Sequence, residues 1–282
     1  MTIEQILILA IVQGITEFLP ISSSGHLILV PYFTGLADQG LVTDVMVHVG
    51  SLVAVIVYFW RDVLSLMGGA FDLIRGRMTD WARMVLMILI ATIPAVAFAL
   101  YLKKSGIADN LRSIELIGWT AIIYAVLMYL ADRFGPRLKA MEDMTFAPAI
   151  AIGVAQALAL IPGTSRSGVT MTAARALGFE RAEAARFSFL LGIPAIAGAG
   201  LFTVLEFLEA GEPVPSDALL AAFLTFFSAL AAIAFLMALV KRMSFLPFVL
   251  YRLALGALLL YLAYSQGEPS ATSAVLMVGA IV

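Results

Sequence analysis

A chain of 282 residues that is 62% hydrophobic and only 13% charged, with a mean hydropathy of +1.02, has too little polar surface to cover itself in water. The same figures exclude disorder, collagen and coiled coil. The absence of cysteine excludes disulfides, thiolate metal sites and a thiol nucleophile, and a net charge of −2 excludes nucleic acid as a partner. What remains is an all-α polytopic membrane protein, one integral domain over 1–282.

In chain order, the first apolar stretch, 5–19, has neither a basic leader nor a small-residue cleavage site, so it does not read as a signal peptide. It runs into Leu19-Pro-Ile-Ser-Ser-Ser-Gly25, and the apolar pattern resumes only to about residue 30. Three stretches long enough to cross ~30 Å of hydrocarbon follow, at about 41–60, 83–102 and 112–131. Then comes a second interrupted segment, 146–174, broken at Pro162-Gly-Thr-Ser-Arg-Ser-Gly168, and three more spans at about 187–209, 218–240 and 248–265. The flanks of each break are too short to span. Lipid tolerates irregular backbone only where protein or a wet cavity surrounds it. Both broken segments are therefore expected to be re-entrant helix pairs, giving six transmembrane helices in all.

Charge tests that topology. With both broken segments re-entrant, twelve Lys and Arg residues fall on one side of the membrane and three on the other, while Arg166 and Arg252 lie inside apolar segments. Positive charge stays cytoplasmic, so both termini are expected on the outer face. Arg252 is assigned to snorkelling toward the cytoplasmic interface. An odd number of crossings per half puts 1–140 and 145–282 in inverted topology, as in transporters with a midplane site. Gln13 lies twelve residues before Gly25 and Gln156 twelve before Gly168, which places the two breaks in register.

Glu17 and Arg166 are charges in apolar segments, each costing roughly 2.5–3.5 kcal/mol if left unpaired there. A structural ion pair joining the halves would account for both. The neighbours suggest more. Gln13 and Glu17 share a helix face; Ser22, Ser23, Ser24, Gly25 and His26 follow, and the other half offers Thr164, Ser165, Arg166, Ser167, Gly168 and Thr170. Serine-rich helix starts and a guanidinium suit phosphate oxygens. A carboxylate beside an anion calls for a bridging divalent cation, Mg²⁺ or alternatively Ca²⁺, for which Gln13 and Glu17 are the candidate ligands. His48 reads as a packing residue, and Leu160 stands where a second-half counterpart of Glu17 would fall.

Gln13-Gly-Ile-Thr-Glu17 running into Pro20-Ile-Ser-Ser-Ser-Gly-His26, together with Pro162-Gly-Thr-Ser-Arg-Ser-Gly-Val-Thr170, resembles the undecaprenyl-diphosphatase family of the bacitracin-resistance type. There is one departure, Gln13 rather than Glu at the first position of its Glu/Gln-x-x-x-Glu motif, which removes one charge. The resemblance runs the length of the chain, through Asp44–Phe59 and Trp60-Arg61. It implies a phosphatase of the bacterial inner membrane. Its substrate would be a polyprenyl diphosphate lipid, with surrounding membrane lipids as further partners, and the site would open to the periplasm. A homodimer is left open. Arg166 is assigned to the diphosphate, Glu17 and Gln13 to the cation, and Ser23 or His26 to nucleophile or base. A secondary transporter or lipid flippase is the alternative that inverted repeats also allow.

Overall fold

The computed structural model describes residues 1–23, 25–27, 29, 40–107, 111, 113–209 and 215–265. Among them ten helices are delimited: α1 (Ile3–Phe18), α2 (Gly40–Tyr58), α3 (Trp60–Ile74), α4 (Asp80–Ser105), α5 (Ile114–Phe134), α6 (Phe146–Leu158), α7 (Arg166–Ala176), α8 (Arg181–Glu209), α9 (Ser216–Val240) and α10 (Leu246–Ser265). Ser23, Gly25–Leu27 and Leu29 are also helical. Their starts follow local chemistry. Thr2, Thr79, Ser113 and Ser165 each accept a first-turn N–H with the side-chain oxygen. Gly106, at φ 69°, ends α4 in the left-handed conformation.

Four helices among the described residues, α4, α5, α9 and α10, have the length and apolarity to cross a membrane, and α2 with α3 forms a further candidate. Four to five of the six expected crossings are thus found by length and apolarity among the described residues, and the 29-residue α8 is not one of them. One feature of this path departs from the sequence pattern. Residues 60–74, expected as a polar joint, form a helix bent 88° from α2. Trp60, Leu64, Met67, Phe71 and Ile74 make one exposed apolar stripe along it, the pattern of a helix lying in the membrane interface. Asp62 on α3 ties it to Arg186 of α8 at 2.5 Å.

Each half lends its first helix to the other. α1 packs on α9, α6 packs on α4, and α5 and α10 pack on one another. α6 and α7 pack together across the break at 159–165, so this segment folds back as a hairpin. One end of the molecule holds the Met1 amino group against Asp217 at 2.6 Å and Tyr264 against Glu115 at 2.9 Å. The opposite end holds Asp132 against Arg181 and the backbone N–H of Phe245.

Candidate active site

The two breaks are built alike. Ser22 and Ser165 are the two non-glycine residues with positive φ among the described residues, at 79° and 71°. That conformation is strained for a side chain bearing a Cβ and persists where surroundings enforce it. In both cases the turn lets the hydroxyl cap the next helix: Ser22 Oγ accepts from Gly25 N at 3.4 Å, and Ser165 Oγ from Gly168 N at 3.2 Å. The hydroxyls expected to face phosphate are thus engaged by backbone. Ser167 Oγ donates to the carbonyls of Glu17 and Leu19, lacing one break to the other. Thr170 Oγ1 donates to the Arg166 carbonyl at 2.8 Å and meets Ser188 Oγ at 2.6 Å. Thr164 is wholly buried. No acceptor among the described residues takes the backbone N–H of Arg166 or Ser167 in the first turn of α7; of the two, Arg166 lines the cavity described below. Ser24 lies outside the described residues.

Arg252 accounts for how the breaks are held. The sequence placed it at the interface, but it is fully buried. Its guanidinium donates to Pro20 O at 3.3 Å in the first break, and to Gly163 O and Thr164 O at 2.9 and 3.0 Å in the second. It also reaches Thr120 O and Ala121 O in α5 at 3.4 and 3.3 Å. Broken backbone leaves carbonyls without helical partners, and in a low-dielectric interior each needs a donor. A five-donor guanidinium reaches several at once, which explains why burial wins over snorkelling here. Gly163, at φ 86°, permits the second turn: a Cβ there would fall 2.1 Å from Thr120 Oγ1.

On this frame the acid and the guanidinium meet. Glu17 Oε1 accepts from Arg166 Nη2 at 3.0 Å; Glu17 Oε2 accepts from Ser23 Oγ at 2.7 Å and from Gln13 Nε2 at 3.2 Å. The carboxylate is only 6% exposed, so its charge depends on these partners. Arg166 also donates to Ser188 O at 3.2 Å. Its guanidinium occupies the space above Gly192, where a Cβ would come within 2.2 Å of Nη1. A cavity of about 360 Å³ opens over this group, lined on its polar side by Glu17, Ser23, Asp44, His48 and Arg166 and on its apolar side by Leu160, Ala195 and Ile196.

The two histidines exchange the places expected of them. His26 lies outside that lining. Its Nδ1 meets Ser22 O at 2.6 Å and its Nε2 meets Tyr251 Oη at 2.5 Å, so both ring nitrogens are engaged. His48, expected to be packing, stands over Glu17 with Nε2 3.6 Å from Oε2. Its Nδ1 lies 2.6 Å from the Asp44 carbonyl, which fixes the proton on Nδ1 and leaves Nε2 to receive one. Gly192 and His48 were thus missed in the sequence. The spacing of His48 from the motifs carries no signal, because only packing of α2 against α8 and α9 brings it to Glu17.

Among the described residues no three of His, Asp and Glu gather as a metal cage. The amide oxygen of Gln13 is nevertheless buried without a hydrogen-bond partner, while the nitrogen of the same amide donates to Glu17 Oε2. One carboxylate and one spare amide oxygen fit a hard divalent ion that takes its remaining ligands from substrate phosphate and water.

A membrane bundle whose delimited elements are all helices among the described residues, with a serine, a carboxylate and a guanidinium brought together at two breaks, defines the class: a polytopic membrane protein with a buried acid–guanidinium cleft. Residues 6–258 match the sequence model described as "Bacitracin resistance protein BacA", and the chain belongs to that family. It is 51% identical to an undecaprenyl-diphosphatase of Erythrobacter litoralis, over 92% of this chain and 99% of that protein. Its identity to undecaprenyl-diphosphatases of Jannaschia sp. and Ruegeria sp. is 48% and 47%, each over 94% of this chain and the whole of theirs.

Proposed function

We propose that the protein hydrolyses undecaprenyl diphosphate to undecaprenyl phosphate and inorganic phosphate, returning the lipid carrier to peptidoglycan synthesis and giving resistance to bacitracin. The observation that carries this reading is Ser23 Oγ donating at 2.7 Å to a carboxylate whose other oxygen is held by Arg166, within a cleft that also has an apolar wall. A serine hydroxyl becomes a nucleophile when an adjacent base can take its proton. Glu17 stands in that position; His26 does not.

In the proposed reaction Ser23 Oγ attacks the terminal phosphorus as Glu17 takes the hydroxyl proton. The bridging P–O bond breaks and undecaprenyl phosphate leaves with that electron pair. Water then attacks the phosphoserine and gives up a proton to His48, while the protonated Glu17 returns its proton to the departing Ser23 Oγ, so that phosphate is released with Ser23 and Glu17 restored. Phosphoryl transfer is governed by positioning and charge neutralisation. The guanidinium of Arg166 and its own backbone N–H serve the equatorial oxygens. When bound, a divalent ion held by Glu17 and the Gln13 amide oxygen would neutralise diphosphate charge. The apolar wall of Leu160, Ala195 and Ile196 suits the start of the polyprenyl chain. The charge count favours a site opening to the periplasm, with both termini on that side.

Purified protein in detergent with undecaprenyl diphosphate tests this. Phosphate release is expected, falling at least 10²-fold in Ser23→Ala and Arg166→Ala. Full turnover in either variant would overturn the site. Lipid movement in sealed vesicles without bond cleavage would favour a flippase instead.

A further inference from the structure

At the end of the bundle opposite Met1 and Asp217, a second cavity of about 330 Å³ lies between α5 and the start of α10. Its polar lining is Asp132, Arg133, Arg137 and Arg181, with the hydroxyls of Tyr129 and Ser244. Asp132 is already committed. Its Oδ1 accepts from Arg175 Nε at 3.2 Å and Arg181 Nε at 2.6 Å, and its Oδ2 accepts from Arg181 Nη2 at 3.0 Å and Phe245 N at 3.1 Å. Arg133 and Arg137 have no ion pair or side-chain hydrogen bond among the described residues. Three guanidiniums, of Arg133, Arg137 and Arg181, thus line the cavity with one carboxylate, and that carboxylate is already held by Arg175 and Arg181. The bias of Lys and Arg toward one membrane side explains their number at this end, but not their convergence on one concave site.

The walls show what kind of anion fits. Leu246 and Val249 close the apolar side. Tyr129 and Leu246 of the lining and the neighbouring Leu250 and Leu130 are 43%, 42%, 57% and 43% exposed on helices long and apolar enough to cross a membrane, so apolar surface runs beside the cavity. Basic pockets between helices at a membrane surface hold anionic headgroups in this way. We propose that this cavity binds the phosphate headgroup of an anionic phospholipid, with Arg133 and Arg137 as its free cations, Arg181 at its floor and the acyl chains lying along Tyr129, Leu246 and Leu250. The site is separate from the Glu17–Arg166 cleft. It rests on the bundle lying in a membrane, not on the phosphatase chemistry.

The test uses delipidated full-length protein in neutral detergent at 150 mM salt, titrated with phosphatidylglycerol and followed by native mass spectrometry and thermal unfolding. One phosphatidylglycerol is expected to be retained per chain, with a rise in Tm that phosphatidylcholine does not give. The double variant Arg133→Gln, Arg137→Gln leaves the Asp132 pairs intact and is expected to unfold at the parent temperature without lipid. It should bind phosphatidylglycerol roughly thirtyfold more weakly. The double variant Lys241→Gln, Arg242→Gln removes two other cations from the same end and is expected to bind as the parent does. Equal loss in both double variants would reduce the effect to general surface charge and overturn the pocket. Unchanged binding in the arginine variant would overturn it as well. Inorganic phosphate reproducing the Tm rise at the same concentrations would overturn the lipid as occupant.

Discussion

Single atoms decide how the Glu17 cleft is built. Gly192 gives the Arg166 guanidinium its room, since a methyl group there would sit 2.2 Å from Nη1. Gly192→Ala should therefore lower phosphate release at least tenfold, whereas Gly198→Ala on the same helix, with open space around its Cβ, should change it less than twofold. A steady-state assay of the two variants side by side checks this; equal effects would mean that helix distortion, not displacement of the arginine, is responsible. The histidines separate similarly. His48→Ala should reduce kcat by about 10²-fold or more, as loss of a positioned acid–base group does. Tyr251→Phe, which removes one partner of His26, should cost under tenfold.

The two breaks stand or fall together at the scale of elements, because one buried guanidinium serves both. Arg252→Met would leave the carbonyls of Pro20, Gly163 and Thr164 without that donor in irregular backbone. Each unsatisfied buried group costs about 1–3 kcal/mol, so a loss above ~3 kcal/mol is expected, read as a fall in Tm together with loss of activity. Arg252→Lys, able to serve fewer carbonyls, should fall between. A stable, active Arg252→Met protein would show that the breaks hold themselves. Much of this level was open to sequence reasoning: the break positions followed from Pro, Gly and Ser runs, and the spans from apolar length. Helix α3 was not, because fifteen residues with charges at both ends look like a joint until the structure shows a helix bent 88° from α2 with one exposed apolar stripe.

Orientation is a property of the whole molecule, and the absence of cysteine makes it directly measurable. A single cysteine introduced as Lys104→Cys should react with a membrane-impermeant maleimide on intact cells. Lys241→Cys should react only after permeabilisation. The reverse pattern would invert the topology and place the Glu17 cleft on the cytoplasmic side.

Length, apolar content and the asymmetry of charge were sufficient to read a helical membrane protein with two interrupted segments, because the bilayer imposes the same length and hydrogen-bonding requirements on any chain. The motifs likewise marked Glu17, Ser23 and Arg166, since charge inside an apolar run needs a chemical reason. Which histidine stands over the carboxylate, which glycine makes room for the arginine, and that Arg252 turns inward were settled only by packing. Those contacts join residues far apart in the chain, and no periodicity in the sequence encodes a distance between separate helices.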